Sequence, residues 1–150
     1  MRYSGIIKND LAAAPGVSLT FFTQGCPHHC PGCHNPNSWS FDGGEEFTPD
    51  TLQEIMEGLH ENNINRPLCI MGGEPLCQEN LFLVALIIKE VKEKFPDTPI
   101  YIWTGYLYED LLKNDNIRLK YILERTDYLI DGPYVESLRD LTLPMRGSSN

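Results

Sequence analysis

Stretches patterned as strands alternate with stretches patterned as helices from Val17 to Ile130, and this alternation restricts the fold more than any other feature of the chain. Val17 to Thr23 is β-branched and aromatic, reads as a strand, and runs directly into Gln24-Gly25-Cys26. Thr48 followed by Pro49 predicts an N-cap with proline in the first turn, and Leu52, Ile55, Met56 and Leu59 recur behind it at helical spacing. Pro67 to Met71 is a short apolar strand. Leu81 to Phe95 is a second helix, apolar around most of its circumference until Lys89, Glu90, Lys92, Glu93 and Lys94. Pro99 to Trp103 makes the next strand, Leu107 to Leu123 a helical stretch broken near Asn114 to Asn116, and Asp127 to Ile130 the last strand. Such an order needs right-handed crossovers, and hence an α/β fold with a mainly parallel sheet covered by helices. At 150 residues and 41% hydrophobic content, with no repeats or long linkers, the chain suits one domain over residues 1–150.

The residues that do not belong in strands fall where strands end. Cys26, Gly72 to Pro75, Thr104-Gly105 and Asp131-Gly132 each follow a proposed strand. In parallel α/β folds those ends share one edge, where ligands bind. The segment from Cys26 to Glu46 is rich in Pro, Gly, Asn and His and predicts a long loop of the kind that carries function.

Within that loop, Cys26-Pro27-His28-His29-Cys30-Pro31-Gly32-Cys33 has the spacing C-x3-C-x2-C. Three thiolates so close in sequence wrap one compact metal centre at little loop-closure cost, and thiolates are favoured by iron–sulfur clusters and by zinc. An electron-transfer 4Fe-4S site uses four cysteines, so three leave one iron open to a cofactor. The bland alternative is a zinc-binding interaction module, with His28, His29 or His34 completing a Cys3His set. A redox dithiol at Cys30 and Cys33 lacks a helix start to stabilise a thiolate, and a pure electron carrier has no use for an open iron. Cys69, in an apolar strand, and Cys77, near a helix start, read as small buried hydrophobes. His28 and His29 read as solvent-facing, Trp39 as a packing anchor, and Asn35 before Pro36 as an Asx-turn residue or a support of the loop.

Other function classes are excluded by composition. The formal net charge is −9 and the twelve basic residues form no block, which argues against nucleic acid. The longest apolar run, Leu81 to Ile88, is eight residues, against the ~20 of a membrane span. Ala12 to Ala14 imitates a cleavage site, but Lys8, Asn9 and Asp10 stand where an apolar stretch belongs. Five cysteines, an odd number, without an export signal predict a reducing cytoplasm.

C-x3-C-x2-C after one strand, with Gly72-Gly73-Glu74-Pro75 after the next, resembles the radical S-adenosylmethionine superfamily. Gly25-Cys26, Cys33-His34-Asn35-Pro36 and Trp39 are similar to the glycyl-radical activating enzymes. The short length, Trp103-Thr104-Gly105-Tyr106, Asp131-Gly132-Pro133-Tyr134 and Arg146-Gly147-Ser148-Ser149-Asn150 resemble the branch acting on anaerobic ribonucleoside-triphosphate reductase. Gly32 departs from the aromatic residue that many members carry before the third cysteine, and relatives continue beyond Asn150, which implies a longer native C-terminus. The resemblance implies an incomplete βα barrel, with a 4Fe-4S cluster on Cys26, Cys30 and Cys33 and S-adenosylmethionine on the open iron. It implies that the main chain of Gly72, Gly73 and Glu74 meets the cofactor's amino group, with Thr104 and Asp131 lining its methionine or ribose end. An aspartate equivalent to Asp131 helps hold a monovalent cation in related pyruvate formate-lyase activases, and the side chain of Glu74 is equally open to a structural part. The implied activity is reductive cleavage to a 5′-deoxyadenosyl radical that takes hydrogen from a glycine of the reductase, fed by an external low-potential electron donor. An activase for another glycyl-radical enzyme, such as pyruvate formate-lyase, is the nearest alternative.

Overall fold

The chain begins with a strand that the sequence pattern does not single out. The computed structural model describes all 150 residues, Met1 to Asn150, and β1 (Arg2–Asp10) pairs antiparallel with β2 (Ser18–Thr23), setting Gly5 against Phe22 and Ile7 against Thr20. On its other edge lies the two-residue β3 (Glu45–Glu46). Only Tyr3 of β1 is buried, so the strand lacks the alternation that a half-buried strand imprints on sequence.

The rest follows the predicted order. Helix α1 (Pro49–Gly58) leads to β4 (Leu68–Gly72), α2 (Leu81–Lys94) to β5 (Ile100–Trp103), and α3 (Tyr108–Leu112) with α4 (Ile117–Arg125) to β6 (Tyr128–Ile130). The six strands lie in the order β3-β1-β2-β4-β5-β6. The pairs β2–β4, β4–β5 and β5–β6 are parallel, and the two pairs made by β1 are antiparallel. The sheet is therefore mixed and mostly parallel. Helix α1 starts where Thr48 and Thr51 cap reciprocally, the Thr51 amide donating to the Thr48 hydroxyl at 3.4 Å and the Thr48 amide to the Thr51 hydroxyl at 3.2 Å. The break between α3 and α4 falls where expected, and the Asn116 side chain accepts from the Arg118 and Leu119 amides at 2.9 and 3.3 Å.

Register explains the core. Leu19, Leu68 and Ile100 lie side by side, as do Phe21, Ile70 and Ile102. All six are fully buried and pack with Ile55 and Leu59 of the first helical segment, Val84, Ile87 and Ile88 of α2, and Leu119 and Ile122 of α4. Each such aliphatic side chain contributes about 1.5–3 kcal/mol. The opposite face carries Cys69, Met71, Tyr101 and Trp103, with Ala13 and Ala14 packed over it, and Tyr101 stacks on Tyr128 at 4.4 Å. At the far end of the sheet Arg66 is 2% exposed and donates to the carbonyls of Gly58 and Glu61 at 3.0 and 2.8 Å and to Asn9 Oδ1 at 2.7 Å. No helix is long and apolar enough to cross a membrane.

Candidate functional site

Because β2, β4, β5 and β6 run parallel, their C-terminal ends share one edge, with Thr23 beside Gly72 and Trp103 beside Ile130. A cavity of about 540 Å³ opens there. Cys26, Cys30 and Cys33 line it from the loop after β2, and Gly72, Gly73 and Glu74 from the turn after β4. Thr104 lines it after β5 and Asp131 after β6. The structure thus brings all eight predicted positions to the wall of one cavity. Cys69 and Cys77 lie apart from it, buried as expected. Desolvation pushes their thiols up to about 11 and about 12 respectively.

The cysteine loop is anchored at both ends. Gly25 donates to the Ser38 carbonyl at 2.7 Å and Cys26 to that of Trp39 at 3.1 Å, while the Gln24 side-chain amide donates to the Ser40 carbonyl at 2.7 Å. Gly25 holds φ +99°, and a Cβ there would strike the Phe41 ring. Cys26 is buried; desolvation first, and then the nearby Glu74 and Cys30, push its thiol upward. Cys30 and Cys33 are half-buried.

Gly72 has φ +85°, open to glycine, and Gly73 rests directly on the Gly25 main chain. Glu74 is fully buried, and both oxygens of its side chain are engaged within the protein. Its Oε1 accepts from the Gly105 amide at 2.7 Å and lies 2.7 Å from His28 Nε2. Its Oε2 accepts from the Thr104 hydroxyl at 2.7 Å and the Leu76 amide at 2.8 Å. The Glu74 amide in turn donates to the Gly25 carbonyl at 2.7 Å. Thr104 therefore lines the cavity with a hydroxyl already donated, and Asp131 is exposed with Oδ2 accepting from the Tyr108 amide at 2.8 Å.

The expectation that His28 faces solvent is corrected. Its side chain is 19% exposed, bonded to Glu74 and edge-on to Tyr106 at 4.5 Å, because the loop folds back over the ends of β4 and β5. His29 is exposed and stacks on Trp39 at 4.5 Å, and Trp39, read from sequence as a packing anchor, also lines the cavity. His34 is exposed beside Tyr134. A further wall was not foreseen: Pro144 to Ser148 line the cavity, and Trp103 Nε1 donates to the Met145 carbonyl at 2.6 Å. Pro144 and Gly147 mark a turn in sequence, but nothing there names its contact.

The donor set, three thiolates facing one cavity, fits an iron–sulfur cluster. Of the histidines near the cysteines, His28 and His29 are engaged with Glu74 and Trp39, and His34 lies exposed beside Tyr134. A cluster gives each thiolate its own iron, so the sulfurs need only face a shared cavity.

Comparison with known proteins agrees. Residues 12–150 match the family model of a 4Fe-4S single cluster domain. Over its full length the chain is 32% identical to the anaerobic ribonucleoside-triphosphate reductase-activating protein of Salmonella typhimurium, of which it spans 96%. It is also 36% identical to the Haemophilus influenzae protein of that name and 35% identical to that of Enterobacteria phage T4, spanning 95% and 91% of them and matching along its entire length. The three cysteines at one cavity thus accompany a whole-chain likeness, and the chain belongs to the family of anaerobic ribonucleoside-triphosphate reductase-activating proteins, built on a 4Fe-4S single cluster domain.

Proposed function

We propose that the chain is a radical S-adenosylmethionine enzyme that generates a glycyl radical on anaerobic ribonucleoside-triphosphate reductase. The observation that carries this is the meeting of Cys26, Cys30 and Cys33 with the Gly72–Glu74 turn at one cavity, while the two remaining cysteines lie outside it. Three thiolates would hold the cluster and leave one iron for the amino and carboxylate groups of the cofactor. When bound, the group supplies reductive cleavage of a sulfonium carbon–sulfur bond, giving methionine and the 5′-deoxyadenosyl radical that takes hydrogen from the reductase glycine.

This chain's residues bind, orient and shield. The main chain at Gly72 and Gly73 lines the cavity and would face a ligand amino group bound there. Thr104 keeps one acceptor lone pair after donating to Glu74 and accepting from the Tyr106 amide at 3.2 Å. Asp131 marks the outer wall, and the segment from Pro144 to Ser148 limits access of water. The reading assumes a single domain with the curvature of an incomplete βα barrel, an external low-potential reductant, and a cytoplasmic setting that keeps the thiols reduced.

Anaerobic reconstitution with iron and sulfide tests it. The expected product is brown, carries about four irons per chain, and releases 5′-deoxyadenosine from S-adenosylmethionine once reduced. Mixed with the reductase it yields a glycyl EPR signal. Zinc alone without S-adenosylmethionine cleavage would overturn the cluster assignment, and cleavage without a glycyl signal on the reductase would overturn the choice of partner.

A further inference from the structure

Between Cys26 and Cys33 the loop has little of its own to hold it. The backbone hydrogen bond within it is Cys33 to Cys30 at 3.1 Å, and Pro27, Pro31 and Gly32 are exposed. At its centre His29 adopts φ +51°, a left-handed conformation that costs a non-glycine residue about 1–2 kcal/mol. Such a conformation persists only where the surroundings over-determine it. On one side is the stack of His29 on Trp39. On the other is His28, whose Nε2 lies 2.7 Å from Glu74 Oε1.

Glu74 is not an ordinary partner. A carboxylate has only acceptors to offer here, so the His28 ring carries its hydrogen on Nε2 and donates. The same carboxylate takes Leu76, Thr104 and Gly105, and the Asn80 side-chain amide donates to the Glu74 carbonyl at 2.9 Å. The residue is thus fixed to the ends of β4 and β5 from every side. Gly105 makes room for the ring, since a Cβ there would stand 2.6 Å from His28 Cδ2.

We propose that His28 is a positioning residue: through Glu74 it fastens the cysteine loop to the turn that receives the cofactor, so that cluster and cofactor are held in one fixed relation. The inference rests on the proposed function for its ligands, but the brace itself belongs to the chain alone. Removing the ring frees the span between Cys26 and Cys30 to move relative to Gly72 and Gly73. Iron can still assemble on three thiolates; what suffers is the alignment of the open iron with the turn.

The test compares the full chain with H28A, H28Q and H28N after anaerobic reconstitution. Glutamine presents an N–H near the position of Nε2, whereas asparagine is one methylene shorter. The readouts are iron content, the EPR spectrum of the reduced cluster with and without S-adenosylmethionine, and the affinity for S-adenosylmethionine. H28A and H28N should keep a cluster, lose the cofactor-induced change in the spectrum, and bind S-adenosylmethionine about 10- to 100-fold more weakly, the equivalent of one lost hydrogen bond to a charged group. H28Q should restore both. Unchanged affinity and spectrum in H28A, or equal impairment of H28A and H28Q, would overturn the proposal. Amide hydrogen exchange at residues 27–33 of the metal-free chain separates this from the functional reading. Exchange should accelerate in H28A and H28N but not in H28Q even if the wild type never binds a cluster, and unaltered exchange in all variants would refute the brace.

Discussion

Gly73→Ala is the substitution whose outcome the structure specifies most closely. A Cβ at Gly73 would land on the Gly25 carbonyl oxygen and stand 2.9 and 3.0 Å from the Gly25 carbonyl carbon and nitrogen. These are main-chain atoms, unable to rotate away. Gly25 is also pinned, donating to the Ser38 carbonyl at 2.7 Å and accepting from the Glu74 amide at 2.7 Å. Restoring ordinary contact requires the two segments to part by about 1 Å. Overpacking of this kind costs about 1–3 kcal/mol, and stretching the Glu74–Gly25 hydrogen bond in a buried setting about 1–2 more. Against this stands about 0.4–1 kcal/mol gained by restricting the unfolded chain, leaving a net loss of about 1–5 kcal/mol, about 3 at the middle of the ranges. Gly5→Ala is the control, because nothing lies within 4 Å of its Cβ position. It should change stability by no more than about 1 kcal/mol. Urea unfolding of the reduced, metal-free chain measures both. A Gly73→Ala midpoint equal to wild type, or equal losses at the two glycines, would refute the claim that this turn is set by its contact with the cysteine loop.

Two further outcomes follow from buried groups. Burial raises the folded pKa values of Cys69 and Cys77 to about 11 and about 12 from the 9.0 of an ordinary thiol, so at alkaline pH the native state holds protons the unfolded state has released. Their contribution is intact below pH 9 and is lost as pH rises toward 11 to 12, at about 1.4 kcal/mol per pH unit per thiol. Comparison of urea midpoints at pH 8 and pH 10 should show a smaller alkaline loss in a C69A/C77A chain, and identical losses would sink the assignment. Arg66→Met leaves the carbonyls of Gly58 and Glu61 and the Asn9 side chain without their donor, at a cost of about 3 kcal/mol. Arg66→Lys should not recover it, since a single ammonium cannot serve both sides as the planar fork does; recovery in the same unfolding assay would contradict this.

What was legible in the sequence was what local chemistry writes there. Apolar spacing marked α1, α2 and the core strands, Thr48-Pro49 marked a helix start, and the asparagines near 114–116 marked a break. The strand β1 was not legible because it is half-buried without alternation, and β3 because two residues carry no period. In the site, the cysteines and the glycine turn stood out because their residue types are unusual at strand ends. The bond from His28 to Glu74 spans 46 residues and that from Trp103 to Met145 spans 42, so neither leaves any local trace.

Glu74 shows how a motif can be required by the fold before it is required by the chemistry. The four groups around its carboxylate, from His28, Leu76, Thr104 and Gly105, all donate. Only a side chain with acceptors alone satisfies them; an amide would turn its own donors on at least one N–H or O–H, leaving buried groups unpaired at about 1–3 kcal/mol each. Gly72 is needed for its positive φ, and Gly73 for its contact with Gly25. Pro75 fixes the chain as it leaves the turn. Each residue of Gly72-Gly73-Glu74-Pro75 is thus accounted for by the junction of the cysteine loop, β4 and β5. The one ionisable side chain of this turn is therefore fully engaged by the fold itself, before any ligand is considered.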